Sequence, residues 1–452
     1  MAKDIVRVVT DVALNENRKA SHRALAVSVF RGCFDLMDIV KDDHSVEVKG
    51  FADEILQSWN PFFIQILKAR LPEVAGHPTS QPESWNSIIS LKLQVVKTLL
   101  KIKTVFSHLL LPQSTVLFQA IWEELSLLQG AHDDLYIQTE AQGRLEDSDN
   151  LPYTLDFLIL EELDFLNQCF RASPVQQELE AQLAAHTSAA ETPWVIDLMK
   201  ILVAYSRVTR EEQDLWDIDC SLYLAEETSV TANYTARTAA GDLMIKLGEW
   251  FNQRAIDGLF AYTRTLFTEA HTSWRDQEAA LYLFNMLMSD FQDMEKAVPE
   301  DIAHSYLGLV EFSINQQGEA LLRARGYLVG GTLARSFQTP PNLLSRTVEC
   351  ITREESEVVQ VACIKAVEGF VRSGRVAVDQ QIPILNAISQ FMQSKDPGDM
   401  EDADELLVTL AETLRAVISL DTRVALARKY SRAHMLLGVY GLGLQDLELT
   451  IL

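Results

Sequence analysis

The chain has 452 residues, with 64 acidic against 39 basic side chains and a formal net charge of -25, and 48% of it is hydrophobic. That apolar share excludes an acidic disordered chain, and the charge disfavours nucleic acid and anionic membranes, which recruit Lys and Arg. Gly is only about 4% of the residues, below the usual ~7%, so sharp turns are scarce and helices are favoured over β folds.

Helical spacing begins at once: Ile5, Val6, Val8, Val9, Val12 and Ala13 follow Met-Ala-Lys-Asp, whose charges argue against a signal peptide. His22-Arg23-Ala24 starts another stretch of this kind. Loops are predicted at 41–46, 72–84, 130–150, 186–193, 211–233, 271–276, 338–342 and 394–403. Those at 72–84 and 338–342 hold Pro72, Pro78 and Pro82, and Pro340 and Pro341; Pro lacks the N–H and crowds the preceding turn. Between loops, apolar stripes recur. Ala236, Ala239, Ala240, Leu243, Met244 and Leu247 form one; Ala280, Leu283, Phe284, Leu287, Met288 and Phe291 form the next. Val359, Ala362, Cys363, Ala366, Val367 and Phe370 repeat the pattern, as do Leu407, Leu410, Ala411, Leu414, Val417 and Ile418.

The small residues at the stripe centres, Ala239, Ala279 with Ala280, Ala324 and Ala362, are spaced by about 40 residues, the period of HEAT and armadillo units. Glu357-Val-Val-Gln-Val-Ala362 and Tyr234-Thr-Ala-Arg237-Thr-Ala239 have the form of a second HEAT helix: an acidic or polar start that favours the helix dipole, then Ala residues that allow close packing. The expected fold is all-α, an α-solenoid of antiparallel HEAT helix pairs, continuous over 1–452 and cut from a longer protein.

Catalytic patterns are missing. There is no P-loop, HExxH, GxSxG or CxxC, and no two of the nine histidines sit four residues apart. The expectation is a non-enzyme with no cofactor and no metal. The odd set of Cys33, Cys169, Cys220, Cys350 and Cys363 reads as reduced thiols of a cytosolic or nuclear protein.

Two acidic clusters remain. The predicted inter-helix loop at 211–233 carries Glu211, Glu212, Asp214, Asp217, Asp219, Glu226 and Glu227 with Trp216, Tyr223 and Tyr234, and no Lys or Arg from 211 to 236. Clustered carboxylates attract a basic surface, and aromatics add contact with Arg or Lys; the alternative is a solvated loop. The second cluster holds Asp396, Asp399, Glu401 and Asp402, with Asp404 and Glu405 beyond; its later members equally suit the first turn of a helix.

The block from Thr209 through Trp216-Asp-Ile-Asp219-Cys220-Ser-Leu-Tyr223 and Glu226-Glu227 to Arg237-Thr-Ala-Ala240-Gly-Asp242-Leu243 resembles the central segment of the β-karyopherins, the importin-β family. Within that family it is most similar to a histone-carrying member. Cys220 stands where the family has Pro, and Tyr223 where it has Phe. The resemblance implies a nuclear transport receptor segment that shuttles between cytoplasm and nucleus. Its implied partners are basic cargo such as core histones, Ran-GTP and Phe-Gly nucleoporins. It assigns partner binding to Glu211, Glu212, Asp214, Trp216, Asp217, Asp219, Glu226 and Glu227. A HEAT scaffold of a multiprotein complex and an exportin of the same superfamily are the competing readings.

Overall fold

The computed structural model describes residues 2–71, 83–228, 234–395 and 403–423. In order, the helices are α1 Ala2–Ala13, α2 Ala20–Val40, α3 Ser45–Lys68, α4 Glu83–Val105, the single turn α5 Ser107–Leu110, α6 Ser114–His132, α7 Leu155–Cys169, α8 Ser173–Ala184, α9 Pro193–Ser206, α10 Arg210–Ile218 and α11 Cys220–Thr228. They continue with α12 Ala236–Phe251, α13 Gln253–Thr268, α14 Trp274–Asp293, α15 Glu300–Ile314, α16 Ala320–Ser336, α17 Pro341–Arg353, α18 Glu357–Arg372, α19 Gln381–Gln393 and α20 Asp404–Ile418. β pairing among the described residues is one isolated bridge, Glu146 to Pro152. The fold is all-α, as the periodicity and the low Gly content imply.

The chain divides into two units: Met1–Glu211 with Tyr234–Lys246, and Glu212–Asn233 with Leu247–Leu452. In the first, α2 lies against α4 and α4 against α7, while α6 joins α7 and α9. An aromatic cluster fills the join of α2 and α3: Phe30 stacks on Trp59 with ring centres 3.6 Å apart, an arrangement worth about 0.5–1.5 kcal/mol beyond burial. The buried indole of Trp59 donates to Thr10 at 3.0 Å and so ties α1 to α3.

In the second unit, α13 pairs with α14, α15 with α16, α17 with α18, and α19 with α20. The second helices α14, α16, α18 and α20 then lie side by side. Ala279, Ala280, Ala324 and Ala362 are fully buried along this row, so the alanine period marks where helices meet. The closest approach is between α16 and α18. A Cβ on Gly331 would lie 2.7 Å from the Ala366 backbone, and one on Gly369 would collide with the Gly331 carbonyl, so only glycine admits this crossing.

Two predicted loops are corrected. In 130–150, α6 continues to His132 and a π-type turn follows at Asp133–Ile137, burying Leu135, Tyr136 and Ile137. Gly130 and the Asp133-Asp134 pair suggest a break, but a Gly costs a helix only about 1 kcal/mol, and Asp133 is held by Arg207 at 2.6 Å. In 211–233, the chain is helical over Arg210–Ile218 and Cys220–Thr228, because Trp216, Tyr223 and Leu224 are apolar anchors that need a core. The remaining five residues lie outside the described ones. Predicted loop 72–84 falls almost wholly outside them too.

Candidate acidic surface

Helix α10 presents Glu211, Asp214 and Asp217 at three-residue intervals, which places them along one side. All three are exposed, and so is Asp219. Asp219 ends α10 and starts α11: the Ser221 N–H donates to its Oδ1 at 2.8 Å, an N-cap that stabilises helices by about 1 kcal/mol. Glu211 accepts the Gly143 N–H at 3.0 Å, so its carboxylate is partly committed to the fold. Glu212 and Glu226 are half-buried.

The aromatics do not face outward. Trp216 is 4% and Tyr223 1% exposed, and they meet edge to face with centres 5.3 Å apart. Trp216, which the resemblance assigns to partner contact, points inward: with Tyr223 it anchors α10 and α11, and α11 lies on α18 and α20. Cys220 is buried beside them, and burial pushes its thiol up to about 11.

Glu227, also assigned to a partner by the resemblance, is held within the fold. It takes both guanidinium nitrogens of Arg325, Nη1 at 2.8 Å and Nη2 closer, while Arg325 Nε donates to Glu278 at 2.9 Å. Arg325 is fully buried and lies 5.0 Å from the Tyr282 ring centre. Two carboxylates around one forked cation make a buried structural triad. Glu278 and Arg325 were missed as special positions. Their signal was a charge inside an apolar stripe, Glu278 before Ala279-Ala280-Leu281 and Arg325 after Leu321, Leu322 and Ala324.

Two apolar side chains that sequence reading passed over lie among the exposed acids: Leu215 is 46% exposed and Ile218 84%. The exposed face of α10 thus combines carboxylates with aliphatic contact area.

The second half of the block supports the first unit. Arg237 is buried and donates to the Ser206 carbonyl at the end of α9, where a cation suits the helix C-terminus. The Tyr234 hydroxyl donates to Asp164 on α7. Asp164 sits near Glu161 and Asp242; burial, and then these charges, push it up to about 6 against the Tyr234 hydrogen bond.

A cleft of about 140 Å³ in the second unit is lined by Glu227, Asn285, Arg335, Lys365, Glu368 and Arg372. Its lining carries both signs, and its cations pair locally, Arg335 with Asp293 and Lys365 with Glu412, both at 3.2 Å. It is therefore no acidic groove. Asp396, Asp399, Glu401 and Asp402 lie outside the described residues. Among the described residues, no group of three or more His, Cys, Asp or Glu is placed to hold a metal ion, and no helix is long and apolar enough to cross a membrane.

A family model described as Importin-9 central HEAT repeats matches residues 189–443, which takes in the acidic helices and the paired helices that follow. Importin subunit beta-5 of Schizosaccharomyces pombe is 23% identical over 410 residues, covering 88% of this chain and 38% of the relative. Importin-9 of Drosophila melanogaster is 19% identical over 390 residues, covering 80% of this chain and 36% of the relative. The chain thus spans less than two fifths of the length of these curated relatives. The crystal structure of Kap121p bound to Nup53p is similar at 14% identity and a TM-score of 0.36, covering 92% of this chain and 46% of that one.

Proposed function

The chain belongs to the family of Importin-9 central HEAT repeats, a family of nuclear transport receptors and not of enzymes, and on that premise we propose that it is the cargo-binding central part of an import receptor. Basic protein cargo, core histones foremost, docks on its acidic surface in the cytoplasm. Ran-GTP releases the cargo in the nucleus, and weak contacts with Phe-Gly nucleoporins carry the complex across the pore.

One observation carries the cargo reading: Asp214 and Asp217 stand exposed on one side of α10, beside Leu215 and Ile218, in a stretch without Lys or Arg from 211 to 236. Clustered carboxylates steer an oppositely charged partner and speed its association. Aliphatic side chains among the carboxylates add contact that salt does not screen.

The test is a titration of core histone dimers into the chain and into the intact receptor that contains it. At about 50 mM salt both bind, and raising salt to about 200 mM weakens binding at least tenfold. Ran-GTP loosens cargo on the intact receptor. No binding at low salt overturns the cargo reading, and tighter cargo binding with Ran-GTP overturns the import direction.

A further inference from the structure

Leu222 of α11 is 38% exposed and extends Leu215 and Ile218 of α10 into a row of three aliphatic side chains open to water. The row runs across the junction of the two helices. The Asp219 N–H donates to the Leu215 carbonyl at 2.9 Å, the bond of an unbroken helix, and the Leu222 N–H donates to the Asp219 carbonyl at 3.2 Å. The chain therefore winds through the junction at close to helical pitch. At about 100° per residue, Leu215, Ile218 and Leu222 fall within roughly 60° of one another. By the same winding, Asp214 and Asp217 lie to one side of the row and Asp219 to the other, and all three carboxylates are exposed.

The ground beneath this row is fixed. Trp216, Cys220, Tyr223 and Leu224 are buried on the opposite side, and α11 rests on α18 and α20. Single apolar side chains on a surface are ordinary, but three aligned at helical spacing between carboxylates have the form of a docking face.

We propose that this row seats a basic amphipathic helix of the cargo, whose aliphatic stripe packs along Leu215, Ile218 and Leu222 while Lys or Arg on its two flanks reach Asp214 and Asp217 on one side and Asp219 on the other. The proposal rests on the reading of α10 as a cargo surface and adds the form of the partner.

Charge and spacing select this occupant. A second copy of the chain would bring the same carboxylates onto the face, in a stretch without Lys or Arg from 211 to 236 and a chain of net charge -25. An extended basic tail sends successive side chains to opposite faces, so each face offers a single file with a repeat of about 7 Å. A single file has no flanks: it meets the aliphatic row or one line of carboxylates, not both. A helix gathers residues at i, i+3, i+4 and i+7 into one stripe, a length of about 10 Å that matches the seven-residue span from Leu215 to Leu222. It carries cations on both shoulders of that stripe, and their aliphatic stems add contact as two helices close to about 8–10 Å.

The experiment uses the whole chain, core histone dimers, and two synthetic peptides of about 18 residues with the same Leu, Lys and Ala content. One peptide sets Leu at i, i+3, i+4 and i+7 with Lys on both flanks; in the other the order is shuffled so that Leu is spread around the helix. At about 150 mM salt the patterned peptide should bind at least about tenfold more tightly than the shuffled one and gain helical circular dichroism on binding. Leu215→Ser/Ile218→Ser should erase that difference, with thermal melting unchanged because both side chains are exposed. Equal affinity of the two peptides, or an advantage of the patterned peptide that survives in Leu215→Ser/Ile218→Ser, overturns the helical partner, while histone binding by the same chain retains the cargo reading. Absence of histone binding at about 50 mM salt overturns the cargo reading and this proposal with it.

Discussion

The guanidinium of Arg325 grips both carboxylate oxygens of Glu227, a residue 98 positions earlier in the chain. The same cation gives its Nε–H to Glu278 at 2.9 Å. A carboxylate expected to meet a partner is thus consumed by the fold, and the acidic helix α11 is fastened to the repeat row through it.

Arg325→Ala leaves two buried carboxylates without their cation. A broken buried pair costs about 3–5 kcal/mol. Urea unfolding should show a loss of that size, with Arg325→Lys losing less because an ammonium still supplies the charge without the fork. A loss under about 1 kcal/mol for Arg325→Ala contradicts the triad.

A second buried network separates two neighbouring glutamates in the first unit. Lys92 reaches Glu124 at 2.6 Å and the carbonyls of Ile66 and Leu67 at 2.9 and 3.1 Å. Glu162 is fully buried near Glu124; burial first, and the Glu124 charge next, push its carboxyl well up. Glu162→Gln replaces a carboxyl whose charged form burial disfavours by a neutral amide of the same shape, and should cost under about 1 kcal/mol. Glu124→Gln strands the Lys92 ammonium and should cost about 3–5 kcal/mol. Equal losses in the two variants contradict this division.

The Asp164 cluster sets a pH dependence. Its carboxyl is raised to about 6 in the fold, above the ~3.9 of an unfolded chain. Between those values the folded state holds a proton that the unfolded state has released. Its contribution therefore favours the fold at low pH and is lost as pH rises toward 6. Measured against wild type, Asp164→Asn should flatten the fall in stability over that window. An unchanged pH profile contradicts the assignment.

The helices and their repeat were legible in sequence because both depend on local periodicity and on small residues at crossings. Ala279, Ala324 and Ala362 mark the packed row, and glycine at 331 and 369 sets its closest approach. The roles of individual carboxylates were not legible. Glu226 and Glu227 are neighbours in sequence, and adjacent helix positions point about 100° apart. Which of them turns inward depends on Arg325, in a helix that begins some 90 residues further on. The π-type turn after His132 was equally hidden, since Asp133 is satisfied by Arg207 from a distant helix end. The exposure of Leu215 and Ile218 follows from Trp216 taking the buried side of a nine-residue helix.

The most direct measurement compares wild type with Asp214→Lys/Asp217→Lys in binding to core histone dimers at about 100 mM salt. Both aspartates are exposed, so circular dichroism melting should be unchanged within a few degrees. Affinity should fall at least tenfold, about 1.4 kcal/mol, with a weaker dependence on salt. Unchanged affinity in the reversed variant would contradict cargo binding by the α10 face.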